Sequence, residues 1–519
     1  MVKLNIKEDA KLQNKNMIDI ENHKQLFIDK RFIQDSENVN LTMNPPYMSE
    51  DPILIADRPW EVHIGGYNTV IKENGLFRMW YDFIPPENDP SGITRGVAYA
   101  ESNDGINWVK PDIGLVEICG NKNNNVVIPR IPNAPRGETE GGTVLLDTNP
   151  DCLPDERYKF WTKIRGIPEE DTARGMTGAF WQMYSSDGIY WNVYPDRIDT
   201  PKCDTQNVPF WDDRINKYVG YGRTRNPYKG FKVRGVGRIE STNFHDWSEM
   251  EEVFRAEEDD WRMIPSPECA DRIGGYVDVY TNAASKYPYA EDVYLMLPSF
   301  LYHWECVELV AGHGDEAQDM HINYPDTSDI RLLTSRDGIS WDQAPGKQPF
   351  LRVGLSGGSR SRQLYTAPGF IRVKDELWNY CYGSNKNHSG QFDTGTSDNT
   401  SDRVKEGIFI NKSRLDGFIS ADMPYHGGEL LTPPVIFDGA KLELNIDTGA
   451  GGFASVGFIN SDGTVPDGFG IDECDKLNGN SVRMLITFNG NSDVSKLAGK
   501  PIHIKIRAYD TKIYGFQFS

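Results

Sequence analysis

The sequence predicts an all-β protein: a five-bladed β-propeller followed by a C-terminal β-sandwich. Three observations carry that prediction. One turn element recurs along the chain, as Ser102-Asn-Asp-Gly-Ile-Asn-Trp108, Ser185-Ser-Asp-Gly-Ile-Tyr-Trp191, Ser241-Thr-Asn-Phe-His-Asp-Trp247 and Ser335-Arg-Asp-Gly-Ile-Ser-Trp341, with a degenerate fifth copy at Ser413-Arg-Leu-Asp-Gly-Phe-Ile-Ser420. An aromatic-rich strand precedes each copy: Phe77–Tyr81, Tyr158–Trp161, Tyr218–Tyr221, Val293–Leu297 and Leu377–Tyr382. No amphipathic helix longer than about two turns is legible.

Each element follows from its residues. Asp-Gly closes a tight turn, and the tryptophan after it can pack beneath the turn. A polar turn such as Lys72-Glu-Asn-Gly75 or Asp212-Asp-Arg-Ile-Asn216 leads into most of the aromatic strands. Each unit therefore reads as about four antiparallel strands, and such units repeated around an axis are propeller blades. Tandem β-sandwich repeats are the alternative, and they need linkers between units, which the sequence does not show. The expected layout is a lead over residues 1–40 whose strand Gln25–Asp29 closes or braces the propeller, a propeller over 41–416, and a sandwich over 417–519. The sandwich rests on alternating runs at Lys441–Ile446, Ala454–Phe458, Val482–Phe488, Ile502–Ile506 and Lys512–Phe518, separated by Gly-, Asn- and Asp-rich turns.

Composition narrows the function. The 519 residues carry 55 Lys+Arg against 76 Asp+Glu, a net charge of −21. That argues against a nucleic-acid or anionic-membrane partner, because phosphate binding needs clustered Lys and Arg. No apolar run reaches the roughly 18 residues of a spanning helix, and Met1–Lys24 is too polar for a signal peptide. The seven cysteines are widely spaced with no CxxC pair, which fits reduced thiols in a cytoplasmic protein. With 12 Trp, 24 Tyr and 23 Phe the chain leans toward carbohydrate, whose ring faces stack on aromatic side chains.

This layout resembles the five-bladed glycoside hydrolases, namely the family 32 β-fructofuranosidases and their family 43 and 68 relatives. The tail from Lys441-Leu-Glu-Leu444 through Leu497-Ala-Gly-Lys-Pro501 to Tyr514-Gly-Phe-Gln-Phe518 is similar to the family 32 sandwich. Segments at Leu26-Phe-Ile-Asp29, Arg58-Pro-Trp-Glu61, Asp204-Thr-Gln-Asn207 and Asp278-Val-Tyr280 also resemble those of bacterial proteins with the same layout. Glu268-Cys269 matches the Glu-Cys pair of the family 32 acid/base segment, whereas that family's Asn-Asp-Pro-Asn and Arg-Asp-Pro motifs are absent. The resemblance implies a glycosidase acting on a small oligosaccharide, with a furanoside such as a fructoside or arabinoside as substrate.

Glycosidic cleavage needs two carboxyls flanking the bond, one protonated and one ionised. In a propeller the innermost strand of every blade faces the axis, so its polar residues converge at one mouth. The acids opening successive units are Glu61, Glu138 and Glu140, Asp204, and then Glu268 and Asp278; the fifth unit opens on Arg360 and Arg362 instead. Glu140, Asp204 and Asp278, with Glu61 as a fourth, are the candidate catalytic residues. Asp204 lies among Thr, Gln and Asn and is expected to be the ionised nucleophile or base. Glu140 is expected to be the acid, and Asp278 to hold a sugar hydroxyl or tune that acid. Arg58, Trp60, Gln206, Asn207, Tyr280, Asn282, His303, Arg362 and His388 are the candidate substrate-binding residues. For each carboxylate the competing reading is a solvated strand end or turn cap, and for each histidine a structural role.

No organic cofactor is expected, and no metal beyond a structural calcium on oxygen ligands in the channel. His313 and His321, with Asp315, Glu316 and Asp319, read as a solvated loop rather than a zinc site. Gly354-Leu-Ser356-Gly-Gly358 matches G-x-S-x-G in form, but a strand rather than a helix should follow it. Ser102, Ser185 and Ser335, with Asp104, Asp187 and Asp337, recur with their turns and read as turn chemistry. Two further functions stay open. A glycoside phosphorylase would need a basic cluster at the mouth, which Arg360 and Arg362 could supply. A non-catalytic carbohydrate-binding propeller, or a scaffold with the sandwich as its oligomer contact, would show acids far apart.

Overall fold

The computed structural model describes residues 17–129, 139–164, 180–195, 204–228, 231–261, 272–274, 277–303, 306–308, 326–388 and 404–519. Glu138, Glu268, Cys269, His313 and His321 lie outside the described residues. The architecture is all-β, a propeller followed by a sandwich, and the strands appear where hydrophobic alternation and turn chemistry put them.

Blade 1 comprises His63–Glu73, Leu76–Ile84, Gly96–Ser102 and Val126–Ile128, paired antiparallel in that order. Blade 2 comprises Thr139–Leu146, Tyr158–Ile164, Phe180–Ser185 and Asn192–Val193. Blade 3 comprises Val208–Asp212, Lys217–Tyr228, Phe231–Ser241 and Glu251–Arg255. In blade 4 each of the first three strands is broken midway. Val277–Thr281 resumes as Ser285–Lys286 past Ala283, Tyr294–Met296 resumes as Ser299–His303 past Pro298, and Asp326–Ile330 resumes as Leu333–Ser335 past Arg331. Pro298 supplies no ladder N–H and Ala283 has φ 43°, so the sheet changes direction there. Blade 5 comprises Gln363–Thr366, Glu376–Ser384 and Glu406–Arg414, and its outermost strand is Tyr47–Met48 from the start of the chain.

The repeated turns latch these sheets together. In the first copy Ser102 Oγ accepts the Gly105 N–H at 2.9 Å, and Asp104 Oδ1 accepts the Ile106 and Asn107 N–H groups at 2.9 and 2.8 Å. Ser185 with Asp187 and Ser335 with Asp337 repeat the pattern, and Ser241 with Asn243 varies it. Each folded turn then presents an oxygen to the preceding blade. Trp80 Nε1 donates to the Gly188 carbonyl at 2.7 Å, Gln182 Nε2 to Phe244 at 2.6 Å, and the Tyr221 hydroxyl to Gly338. The Tyr287 hydroxyl donates to Asp416 in the degenerate fifth copy, and the Tyr380 hydroxyl of blade 5 reaches the Gly105 carbonyl of blade 1 at 3.0 Å. That last bond closes the ring. Three of these donors, Trp80, Tyr221 and Tyr380, come from the aromatic-rich strands, which thus have a polar task as well as an apolar one: their rings pack while their N–H or O–H groups satisfy the turns.

The five strands expected in the sandwich are all present, in two six-stranded sheets around one apolar core that includes Phe437, Leu444, Phe458 and Phe518. The lead departs from expectation. Gln25–Leu26 pairs with Thr511–Phe518 of the sandwich and not with a blade. Ile18–Glu21, Asp35–Glu37 and Asn40–Met43 also join sandwich sheets. Leu26 and Ile28 nonetheless pack against propeller residues, and ion pairs Lys24–Asp416 and Arg336–Asp29 tie the lead to blades 5 and 4.

Ser356 lies in an irregular loop with no helix after it, so the nucleophile-elbow geometry is absent. Among the described residues no helix is long and apolar enough to cross a membrane. Cys119, Cys152, Cys381 and Cys474 are free thiols.

Candidate functional site

The innermost strands of the blades run in the same sense, so their beginnings gather at one end of the axis. Glu140 opens its strand in blade 2, Asp204 lies four residues before that of blade 3, and Asp278 opens that of blade 4. Cations from the second and third strands reach in between them.

Asp204 accepts from Arg223 Nη1 at 2.6 Å, Lys163 Nζ at 3.0 Å and the Thr205 N–H at 2.9 Å. Burial pushes this carboxyl up, but Arg223 and Lys163 outweigh it and hold it well below the usual carboxylate range. Its side chain is still 43% exposed, so a substrate can reach it. Thr205 sits at φ 56°, a left-handed conformation that β-branched residues seldom adopt. Its hydroxyl donates to the Tyr280 carbonyl at 2.9 Å, which holds it there.

Glu140 is 8% exposed. Its Oε1 accepts from Arg95 Nη1 at 2.9 Å, and its Oε2 lies 3.8 Å from Lys163 Nζ. Lys163 therefore stands between Glu140 and Asp204, and those two contacts put the nearest carboxyl oxygens no more than about 7 Å apart, below the upper limit of about 9.5 Å for two-carboxyl glycoside cleavage. The backbone makes this meeting close. Gly141 has φ 67°, its carbonyl accepts the Asn207 N–H at 3.0 Å, and a Cβ there would overlap the Thr205 carbonyl.

Asp278 is 1% exposed. The Arg234 N–H donates to Oδ1 at 2.7 Å, the Arg234 guanidinium to Oδ2, and His303 Nε2 lies 3.0 Å from Oδ2. Burial raises this carboxyl, yet Arg234 and His303 keep it ionised. Tyr280, two residues on and so on the same face, carries Arg223 over its ring at 4.5 Å, stacks on Tyr365 at 5.2 Å, and meets His388 Nε2 through its hydroxyl at 3.1 Å. Partial desolvation, with Arg234 and Arg223 nearby, pushes the His388 imidazole down to about 4. Tyr67, Tyr365 and Tyr382 continue the line of stacked rings.

The structure thus brings together Glu140, Asp204, Asp278, Tyr280, His303 and His388. The other candidates are engaged differently. Glu61 is buried in blade 1, accepting from the Tyr81 hydroxyl and Lys110 Nζ at 2.6 Å each, and no group of the Glu140–Asp204–Asp278 cluster is bonded to it. Trp60 is 5% exposed, with Nε1 on Asn125, so it offers no face for a sugar. Arg58 is exposed beside Asp57. Gln206, Asn207 and Asn282 are buried and serve the backbone: Gln206 bridges Thr366 and Ala283, Asn207 reaches Thr205, and Asn282 links Gln206 to Ala284. Arg362, half-buried, carries backbone bonds to Ser328 and Ser384, and the Arg360 guanidinium lies against Arg352 and Phe409.

Sequence reasoning missed Asp82, Arg95, Lys163, Arg223 and Arg234. All sit on, or just before, second or third strands rather than innermost ones. A signal existed: Asp82 interrupts the apolar run Met79-Trp-Tyr-Asp-Phe83, and Arg223 follows Tyr218-Val-Gly-Tyr-Gly222. A lone charge inside an apolar strand must find a partner. Among the described residues no three His, Cys, Asp or Glu side chains form a group that could hold a metal ion.

Fold and mouth together define a β-propeller whose axial opening is lined by paired acids and bases. No family model matches the chain, and no curated protein does. Solved structures align with it over most of their length. An N-acetylgalactosamine deacetylase from F. plautii, in complex with blood group B trisaccharide, is 15% identical over 73% of this chain and 96% of that chain, with a TM-score of 0.45. A putative glycoside hydrolase from Bacteroides ovatus is 13% identical over 71% and 97%, at 0.42. A β-1,2-mannobiose phosphorylase from Listeria innocua is 12% identical over 72% and 97%, at 0.41. Likeness at this level assigns no activity, which has to be argued from the mouth itself.

Proposed function

We propose that this protein is a carbohydrate-active enzyme that cleaves the glycosidic bond of a small oligosaccharide with two carboxyl groups. The observation that supports this is Lys163, which brackets Asp204 at 3.0 Å and Glu140 at 3.8 Å and so sets an ionised, accessible carboxyl across from a largely buried one. Asp204 acts as nucleophile or as base for water. Glu140 protonates the leaving oxygen. Asp278, sealed under Arg234 and His303, orients Tyr280 and the rim and makes no contact with the reacting atoms. The furanosides implied by the family resemblance are the first substrates to test. No organic cofactor takes part in this reading, which places the enzyme in the cytoplasm and gives the sandwich any contact with a second subunit.

One observation favours a second reading, a phosphorylase. Lys163, Arg223 and Arg234 gather at the same opening, a basic cluster suited to a phosphate that would replace water.

The test is cleavage of nitrophenyl furanosides and pyranosides, sucrose, fructans and arabino-oligosaccharides, with and without phosphate, by wild type, Asp204→Asn and Glu140→Gln. Turnover in wild type, reduced by at least about a hundredfold in both folded variants, is the expected result. Turnover that needs phosphate selects the phosphorylase. Sugar binding without turnover leaves a binding propeller.

A further inference from the structure

Asp82 lies outside every candidate set and is 2% exposed on the second strand of blade 1. It faces the same guanidinium as Glu140. Arg95 Nη1 bonds Glu140 Oε1 at 2.9 Å, while Nη2 stands 3.2 Å from Asp82 Oδ2 without the alignment of a hydrogen bond. Gly65 makes room for this, since a Cβ there would collide with Asp82 and stand 3.3 Å from Arg95 Nη2. Among the described residues, the other charged or titratable groups around the pair are Lys163 from blade 2, Tyr67 from the innermost strand of blade 1, and Tyr280 and Tyr382 across the axis. Lys163 is divided between Glu140 and Asp204, and Arg95 is the guanidinium that both carboxyls of the pair face.

We propose that Asp82 is a positioning residue that shares Arg95 with Glu140, so that the two carboxyls hold one proton between them and Asp82 governs when Glu140 carries it. The catalytic part of this rests on the glycosidase reading; the shared proton does not. Asp82 is buried, the cation it faces is not aligned to bond it, and the Glu140 carboxylate lies on the same guanidinium, so a proton on one of the two carboxyls relieves both the burial cost and the repulsion. Asp82 is the resting holder, because Glu140 has the better bond to Arg95 and a second cation. Burial first, and then the Glu140 charge, push Asp82 up to about 7 against the pull of Arg95. When Asp82 gives up the proton it takes Arg95, and Glu140 then holds the proton it donates to the leaving oxygen.

The test uses the intact protein and two readouts. The first is the unfolding equilibrium of wild type and Asp82→Asn from pH 4 to 9. A carboxyl whose folded value is raised stabilises at low pH, and that contribution is lost as pH rises through the folded value. Wild type should lose about tenfold per pH unit in folding equilibrium, relative to the variant, between about pH 5 and 7, and hold level above 8. Glu140→Gln, which removes the neighbouring charge, should move that transition to lower pH, and it serves also if Asp82→Asn does not fold. The second readout is the alkaline limb of kcat/KM. In Asp82→Asn, Glu140 keeps two cations and loses the carboxylate that shares Arg95 with it, so the limb should move at least one pH unit toward acid. A stability gap that does not vary with pH, or a Glu140→Gln transition that stays in place, overturns the proposal. So does a rate loss uniform across pH. A wild type with no turnover but with the pH-dependent gap refutes the glycosidase reading and leaves the shared proton standing.

Discussion

Replacing Arg234 with methionine isolates the strongest electrostatic contact at the mouth. Asp278 is fully buried, and the variant removes its guanidinium partner while sparing the Arg234 N–H at 2.7 Å and His303 at 3.0 Å. Breaking one side of a buried ion pair costs about 3–5 kcal/mol, because the remaining charge is left in a poor dielectric. The two surviving partners put the expected loss near the lower figure, about 3 kcal/mol. The assay is urea denaturation at pH 7 and at pH 4.5 for Arg234→Met, Asp278→Asn and the double variant. In wild type the folded value of Asp278 is depressed, so its contribution is present above the unfolded value near 3.9 and is lost as pH falls toward the folded one. In Arg234→Met that opposition to burial is gone and the carboxyl takes up a proton early, so the gap to wild type should narrow at pH 4.5. The double variant should regain at least about 1 kcal/mol over Arg234→Met, since no orphaned charge remains. A loss under about 1 kcal/mol in the single variant, or a double variant as poor as the sum of the singles, would refute the argument that Arg234 exists to hold Asp278 ionised.

Two further predictions concern how the mouth and the ring are built. Gly141→Ala should cost more than about 2 kcal/mol and lower turnover, because its φ of 67° and its approach to the Thr205 carbonyl admit no side chain, and the resulting shift falls between Glu140 and Asp204. An alanine variant with the wild-type midpoint and rate would sink that account. Tyr380→Phe should cost about 1–2 kcal/mol by leaving the buried Gly105 carbonyl unpaired at the ring closure. Tyr221→Phe, which cuts the equivalent latch between blades 3 and 4, should cost a similar amount, and a change of only a few tenths in both would mean that ring packing alone joins the blades.

Much of the fold was legible because its signals are local. A Ser two residues before an Asp-Gly dipeptide makes the same turn wherever it occurs, and strand alternation needs only the sheet face to be buried. The N-terminal lead escaped because its alternation says that a strand forms, not which sheet receives it. The site was legible in part. Glu140, Asp204 and Asp278 could be found as acids opening successive innermost strands. Glu61 shared that position in the sequence, but in the fold it is buried against Lys110 and Tyr81 instead of the mouth. The polar triplet Gln206, Asn207 and Asn282 had the residue types of a sugar site, and the need to satisfy irregular backbone between blades 2, 3, 4 and 5 consumed them.

The sequence by itself determined that this chain is built from repeated four-stranded units with latching turns, that a sandwich follows them, and that acids recur at the inner ends of the blades. Only the tertiary structure decided what those acids do. Cations that contact them include Arg95, Lys163 and Arg234, which stand 45, 41 and 44 residues from Glu140, Asp204 and Asp278, together with Arg223, 19 residues from Asp204. Hydrogen-bonded turns and apolar periodicity act over a few residues, so they are written locally. The ionisation of a buried carboxyl depends on which cations the closed ring brings within a few ångströms, and the ring closes only when residues near 47 and 105 meet those near 380 and 411.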